Sequence, residues 1–178
     1  MALTTDYTND TDAGKTYRLL SMKSAVKIAL GLLTIGLLTS PVLRAQREKL
    51  PPEDLEFVEK NWPGAKKTST GIRYIIQQEG QGDMPKPGDR VFVNYVGRLL
   101  AGKIFDQNEN KDDPFKFRIR RDEVIEGWDQ VLQLMKRGEK CLVIIPPELA
   151  YGTRGQPPKI PRGSTLVFEI ELLDFKKD

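Results

Sequence analysis

The feature that most restricts the fold is an order of elements: five strand-like stretches between residues 72 and 173, with a single helical stretch set among them. Residues 72–76 form an apolar run that stops at Gly80 and Gly82. After a turn rich in Pro and Gly, Val91, Val93 and Tyr95 alternate with their neighbours, which gives one apolar face at the two-residue period of a strand. Phe115, Phe117 and Ile119 repeat the pattern, and Leu166, Phe168, Ile170 and Leu172 extend it near the C-terminus. Residues 141–145 are a short continuous apolar run closed by Pro146 and Pro147. Only residues 125–135 within this region read as helix, with Trp128, Leu132 and Met135 at helical spacing and Gly138 beyond the end. Many strands and one short helix predict an α+β domain. An antiparallel sheet needs a cover on one face, and the helix supplies it.

Composition narrows the chemistry. The chain of 178 residues has no His and a single Cys, with a net charge of +3. Imidazole general bases, Ser/His and Cys/His nucleophile pairs, an intramolecular disulfide and a Cys-rich metal site are all excluded. Cys141 lies in an apolar run and reads as a small buried hydrophobe. No cofactor and no metal are predicted. Basic and acidic residues are interspersed from Gln46 onward, so there is no stripe that would neutralise nucleic-acid phosphates, and nucleic acid is not expected as a partner.

The N-terminal quarter has its own composition. Residues 1–21 are polar and aperiodic and read as a disordered leader. Lys23 and Lys27 then flank the start of an apolar run over residues 28–38, with Ala45 as a candidate cleavage position. Residues 22–45 therefore read as a secretory signal peptide, the alternative being a short uncleaved membrane anchor, and Met22 as a candidate true start. An exported protein follows, in a bacterial periplasm or envelope, with an organelle lumen as the alternative. Residues 46–70 read as a short helix and a polar linker: Pro and acids open the helix, and Leu55, Val58 and Trp62 share one face. Residues 71–178 are the domain proper.

Five blocks in this domain carry a family resemblance: VFVNYVGRLLAGKIFD (91–106), PFKF (114–117), VIEGWDQVLQLMKRGEK (124–140), IPPELAYGTRG (145–155) and IPRGSTLVFEIELL (160–173). In this order and spacing the chain resembles the FKBP-type peptidyl-prolyl cis–trans isomerases. The resemblance implies a curved antiparallel half-barrel wrapped around one short helix, with an aromatic pocket between them. It implies Tyr95, Phe105, Asp106, Trp128, Tyr151 and Phe168 as catalytic residues, and Phe115, Val124, Ile125 and Ile160 as substrate-binding residues. Trp128 would floor the site, Tyr151 would donate to a substrate carbonyl, and Asp106 would hold the rim through Tyr95. Taken singly, Trp128 and Phe168 read as core positions, and Asp106 as a turn residue; only their joint occurrence in the family's order reverses this.

The implied reaction suits the composition. Rotation about an X-Pro bond breaks amide resonance over a barrier of about 18–20 kcal/mol without making or breaking a covalent bond, so no acid, base or nucleophile is required. The implied partners are proline-containing unfolded or partly folded chains. The macrolides tacrolimus and rapamycin are further candidate ligands, although the polar loop at 153–159 departs from the drug-binding members. A second function class stays open: a chaperone or binding module that holds proline-containing segments and isomerises them incidentally. Monomer and homodimer, the latter through the N-terminal extension, are both compatible. Two departures from simple patterns stand out. Arg118, Arg120 and Arg121 follow PFKF, either as extra positive charge near the pocket that favours acidic substrates or as a solvated charged turn. Leu142 and Ile144 lie on the outward face of their strand, either under the helix at 52–61 or on a self-association surface.

Overall fold

The computed structural model describes residues 48–177. The expected leader, signal or anchor segment and start at Met22 lie outside the described residues. Among the described residues no helix is long and apolar enough to cross a membrane.

Helix α1 (Pro52–Asn61) comes first, followed by strands β1 (Lys66–Lys67), β2 (Arg73–Gln78), β3 (Arg90–Leu99), β4 (Ile104–Asn108) and β5 (Phe115–Arg118). Helix α2 (Glu126–Leu132), β6 (Lys140–Ile145) and β7 (Leu166–Lys176) complete the chain. The strands form one sheet in the order β1-β2-β6-β7-β3-β4, and every pairing is antiparallel. Strand β5 pairs with the first half of β3, from Arg90 to Val93, while β4 pairs with the second half, from Tyr95 to Arg98. The edge beside β3 is therefore interrupted at residues 109–114. Asn108 and Asn110 shape that interruption, their side-chain oxygens accepting the backbone N–H of Asn110 and Asp112.

The inner face of the sheet closes around α2. Ile72, Val93, Phe117, Val143 and Phe168 are buried in one cluster with Trp128, Val131, Leu132 and Met135 of the helix and its C-terminal turn. The helix is shorter than its sequence pattern. Beyond Leu132 the chain continues in i→i+3 turns, Leu134 N to Val131 O and Met135 N to Leu132 O, and these carry Met135 into the core although it is not helical. Gly138, at φ 77°, reverses the chain into β6.

The outer face explains Leu142 and Ile144. Both are buried in a second cluster with Leu50, Val58 and Val167, against which Leu55 and Trp62 pack. Helix α1 thus covers the back of β6 and β7 with the face that its sequence pattern marks as apolar. Polar contacts fasten it: Thr165, which is buried, donates its hydroxyl to Asp54 Oδ2, and Lys49 pairs with Glu148 at 3.2 Å. On the other flank Glu48 accepts from Lys67 at 2.7 Å and from Arg73 at 3.1 Å. Burial opposes the charge on Glu48, but these donors prevail and hold its carboxyl below the usual carboxylate range. Asp54→Ala leaves the buried Thr165 hydroxyl without its partner and should destabilise α1 docking by about 1–2 kcal/mol. Hydrogen exchange is the check: amides of α1 should exchange faster while those of α2 are unchanged.

Two segments depart from the sequence reading. Lys66 and Lys67, read as linker, pair with Tyr74 and Arg73, since the turn at residues 68–72 folds them back beside β2. Residues 104–108, of which Asp106 taken singly reads as a turn residue, form β4. Apolar alternation fails there because much of this strand is exposed at the sheet edge, and its order comes from the ladder to β3.

Candidate functional site

Nine of the ten residues expected at the pocket line one cavity of about 150 Å³: Tyr95, Phe105, Asp106, Phe115, Val124, Ile125, Trp128, Tyr151 and Phe168. A cavity of roughly this volume has room for a benzene-sized ring, so a five-membered prolyl ring fits by size. The tenth, Ile160, does not line the cavity. It is 1 % exposed and lies in the core, because the reciprocal backbone pair with Gln156 (2.8 and 3.0 Å) turns its segment inward. Ile160 belongs to the core cluster against which Tyr151, Val124 and Ile125 pack.

Trp128 is the floor. Its position in the first turn of α2 aims the indole at the sheet, and it is 4 % exposed. Edges of other rings surround it. The centroid of Tyr95 lies 4.9 Å away at 82°, that of Phe168 5.3 Å away at 81°, and that of Phe115 6.1 Å away at 79°. Phe117 backs the indole at 5.9 Å. Such edge-to-face packing is favourable for quadrupolar rings and leaves the indole little freedom. The Trp128 Nε1–H is buried and has no hydrogen-bond partner among the described residues.

Phe105, from β4, stands against Phe168 at 5.6 Å and 89° and forms the wall. Gly97 makes that wall possible. A Cβ there would lie 2.7 Å from Phe168 Cε1 and 2.8 Å from Phe105 Cζ, so any larger residue at this position would displace the rings that form the wall. The interrupted edge of the sheet brings the wall and rim together. β4 supplies Phe105 and Asp106, β5 supplies Phe115, and both pair with the strand that carries Tyr95.

The rim is polar. Tyr95 donates its hydroxyl to Asp106 Oδ2 at 2.8 Å, and the other Asp106 oxygen accepts the Gln107 N–H at 3.0 Å. Burial, then the Asp106 hydrogen bond and charge, push the Tyr95 phenol well above its ordinary range. Burial and the charge of Asp106 raise Tyr151 in the same direction. Both phenols therefore stay protonated and act as donors across the neutral pH range. Tyr151 is half-buried at the cavity, and its hydroxyl forms no hydrogen bond with the described residues. Its loop is held from within by Gly155 N–Tyr151 O and Gly163 N–Gly152 O, at 3.1 and 2.9 Å.

Glu123 also lines the cavity and was not anticipated. It directly precedes the Val124-Ile125 pair, and that adjacency was the available signal. Of the arginines around residue 120, Arg120 is a solvated turn residue, bonded to Glu126 at 2.6 Å, with its backbone N–H donated to buried Asp129 at 2.8 Å. Cys141 is buried and donates to Glu139 Oε1 at 3.2 Å. Burial and that carboxylate push its thiol far up, so no thiolate is present to react.

A family model described as FKBP-type peptidyl-prolyl cis-trans isomerase matches residues 82–173. The chain is 44 % identical over 133 residues to the human protein named peptidyl-prolyl cis-trans isomerase FKBP4, covering 74 % of this chain and 28 % of the relative. It is 49 % identical over 113 residues to FKBP-type peptidyl-prolyl cis-trans isomerase FkpA of Escherichia coli K12, covering 64 % of this chain and 41 % of that protein. These matches span less than half the length of either relative. A crystal structure of a peptidyl-prolyl cis-trans isomerase from Pseudomonas syringae pv. tomato superposes with a TM-score of 0.63 at 41 % identity, covering 70 % of this chain and 92 % of that one. The fold, the matched region and the structural likeness agree, and the chain belongs to the FKBP-type peptidyl-prolyl cis–trans isomerase family.

Proposed function

We propose that this chain accelerates cis–trans rotation about X-Pro bonds in the cavity floored by Trp128, and that its clients are exported proteins during folding. One observation carries the first part: an indole that is almost fully buried, ringed by aromatic edges, beneath a cavity the size of a prolyl ring. A planar amide keeps a polarised carbonyl that water solvates well. The twisted transition state has lost conjugation and carries less charge on oxygen. A dry aromatic cavity disfavours the first relative to the second, and that difference is what lowers the barrier. The Tyr151 hydroxyl is a donor that can hold the twisted conformer, and the Tyr95–Asp106 bond keeps the rim in place. About 4 kcal/mol of such differential stabilisation corresponds to a thousandfold acceleration. The service to exported proteins rests on the composition of residues 22–45. The same cavity is a candidate site for the macrolides tacrolimus and rapamycin.

The test is the cis-to-trans rate of a Leu-Pro peptide with the full chain, alongside Tyr151→Phe and Asp106→Asn. Tyr151→Phe removes one neutral donor and is expected to lower the acceleration by roughly three- to tenfold, the equivalent of one hydrogen bond. Asp106→Asn weakens the Tyr95 bond and should cost a similar factor. An unchanged rate in both folded variants would place the catalysis elsewhere. A folded wild-type chain with no acceleration would leave a binding module for proline-containing segments.

A further inference from the structure

The charge around the cavity differs from what the arginine run suggests. Arg118, Arg120 and Arg121 follow the PFKF block closely, yet none of them lines the cavity. No Lys or Arg does. Its ionisable acids are Asp106 and Glu123, and neither is neutralised by an ion pair among the described residues. Asp106 accepts from the Tyr95 hydroxyl and the Gln107 N–H, both uncharged donors. Glu123 is exposed, and its one hydrogen bond among the described residues is a long contact of 3.3 Å from the Arg118 backbone N–H. Both carboxylates line the cavity floored by Trp128, and they reach it from different parts of the chain, Asp106 from β4 and Glu123 from the segment just before α2.

We infer that Glu123 is a specificity-determining residue: together with Asp106 it makes the cavity select prolines flanked by a basic side chain over prolines flanked by an acidic one. The inference rests on the proposed function only in taking the Trp128 cavity as the seat of the prolyl ring. A partly exposed charge pair changes affinity by up to about fivefold. Attraction of a Lys and repulsion of a Glu act in opposite senses, so a preference on the order of tenfold for Lys over Glu is expected, and salt should reduce it.

The test uses the full chain and peptides with Lys, Leu or Glu placed first before and then after the proline. Binding is read by anisotropy of labelled peptide, and isomerisation is read in parallel. Wild type should favour Lys over Glu by about tenfold in at least one position, with the ratio shrinking as salt rises from about 50 mM to 0.5 M. Glu123→Gln should lower that ratio by roughly threefold, and Glu123→Lys should bring it to one or below. Because the ratio is taken within each protein, a general loss of affinity cancels. A wild-type ratio of one or less, or a ratio that survives Glu123→Lys, overturns the inference. Charge-selective binding without catalysis would retire the isomerase proposal and leave this selectivity standing. Catalysis without charge preference would do the reverse, and no binding of any peptide would remove both.

Discussion

Trp128→Ala is expected to abolish most of the acceleration of X-Pro rotation and to destabilise the domain by about 3–5 kcal/mol. The indole is 4 % exposed and touches the rings of Tyr95, Phe115, Phe117 and Phe168. Its removal opens a void beneath the cavity, and the surrounding rings can relax into that void only in part, because the strands hold their backbones in register. The cavity then loses its floor, so at least a hundredfold of the rate, about 2.7 kcal/mol of differential stabilisation, should disappear. Trp128→Phe separates the two effects. It keeps an aromatic floor, should cost less stability, and should retain part of the rate. The check is the Leu-Pro isomerisation rate of each variant, measured where near-ultraviolet circular dichroism shows a folded protein. Full acceleration from folded Trp128→Ala would mean that the ring floor is not where catalysis occurs.

The second large effect is expected one residue earlier. Gly127→Val should leave the domain severely destabilised although it changes no functional group. A Cβ at Gly127 would sit 2.5 Å from Ile145 Cγ2 and 2.8 Å from Cδ1, and Ile145 is fully buried at the end of β6. The isoleucine has no solvent-side rotamer to adopt, so either α2 lifts from the sheet or the core strains. Overpacking by a single methyl typically costs about 1–3 kcal/mol, and valine adds two more carbons in the same place. Against a total stability of about 5–15 kcal/mol this is a large fraction. Urea unfolding should show a lower midpoint with an unchanged slope. Because α2 presents Trp128 from the same turn, any folded fraction should also have a displaced cavity floor. Combining Gly127→Val with Ile145→Ala should recover part of the loss non-additively, since the second change removes the atoms that the first one meets. A double variant whose losses simply add would show that the contact with Ile145 is not the cause.

The selectivity assigned to Glu123 and the fastening of α1 by Asp54 involve smaller energies, but they bear on different parts of the molecule. The first concerns which prolines reach the cavity. The second concerns a helix that lies outside the matched family region at residues 82–173 and covers the back of two strands, β6 and β7. β7 carries Phe168, so the covering helix packs directly behind one wall of the cavity.

Much of this architecture was legible in the chain because it depends on local periodicity. Val91, Val93 and Tyr95, and Leu166 to Leu172, alternate so cleanly that their inward faces follow from the pleat of a strand. Trp128, Leu132 and Met135 share one side at helical spacing, so the cover of the sheet followed as well. The aromatic cavity was legible only through the joint occurrence of five blocks. Single residues such as Asp106 carry no local mark that separates a rim from a turn.

What the chain alone could not determine depends on pairing between distant segments. Ile104 to Asn108 has no apolar alternation, and it is a strand because β3 offers it a ladder. On β7 the alternation reverses after Leu172. The register against β3 shifts there, with Phe92 opposite Asp174 and Val93 opposite Leu172, so that Phe175 reaches the same core as Leu172. A bulge of this kind changes which side chains face inward, and it is set by the partner strand, not by the residues themselves. Ile160 shows the same limit, since its backbone pairs with Gln156 and its side chain is buried in the core cluster. Arg120 shows it for charge: it follows PFKF closely in sequence, but the turn carries it to Glu126, and it does not line the cavity. Periodicity is a property of neighbouring residues and can be read along the chain. Register, bulges and the pairing of charges are settled only when strands far apart in sequence meet.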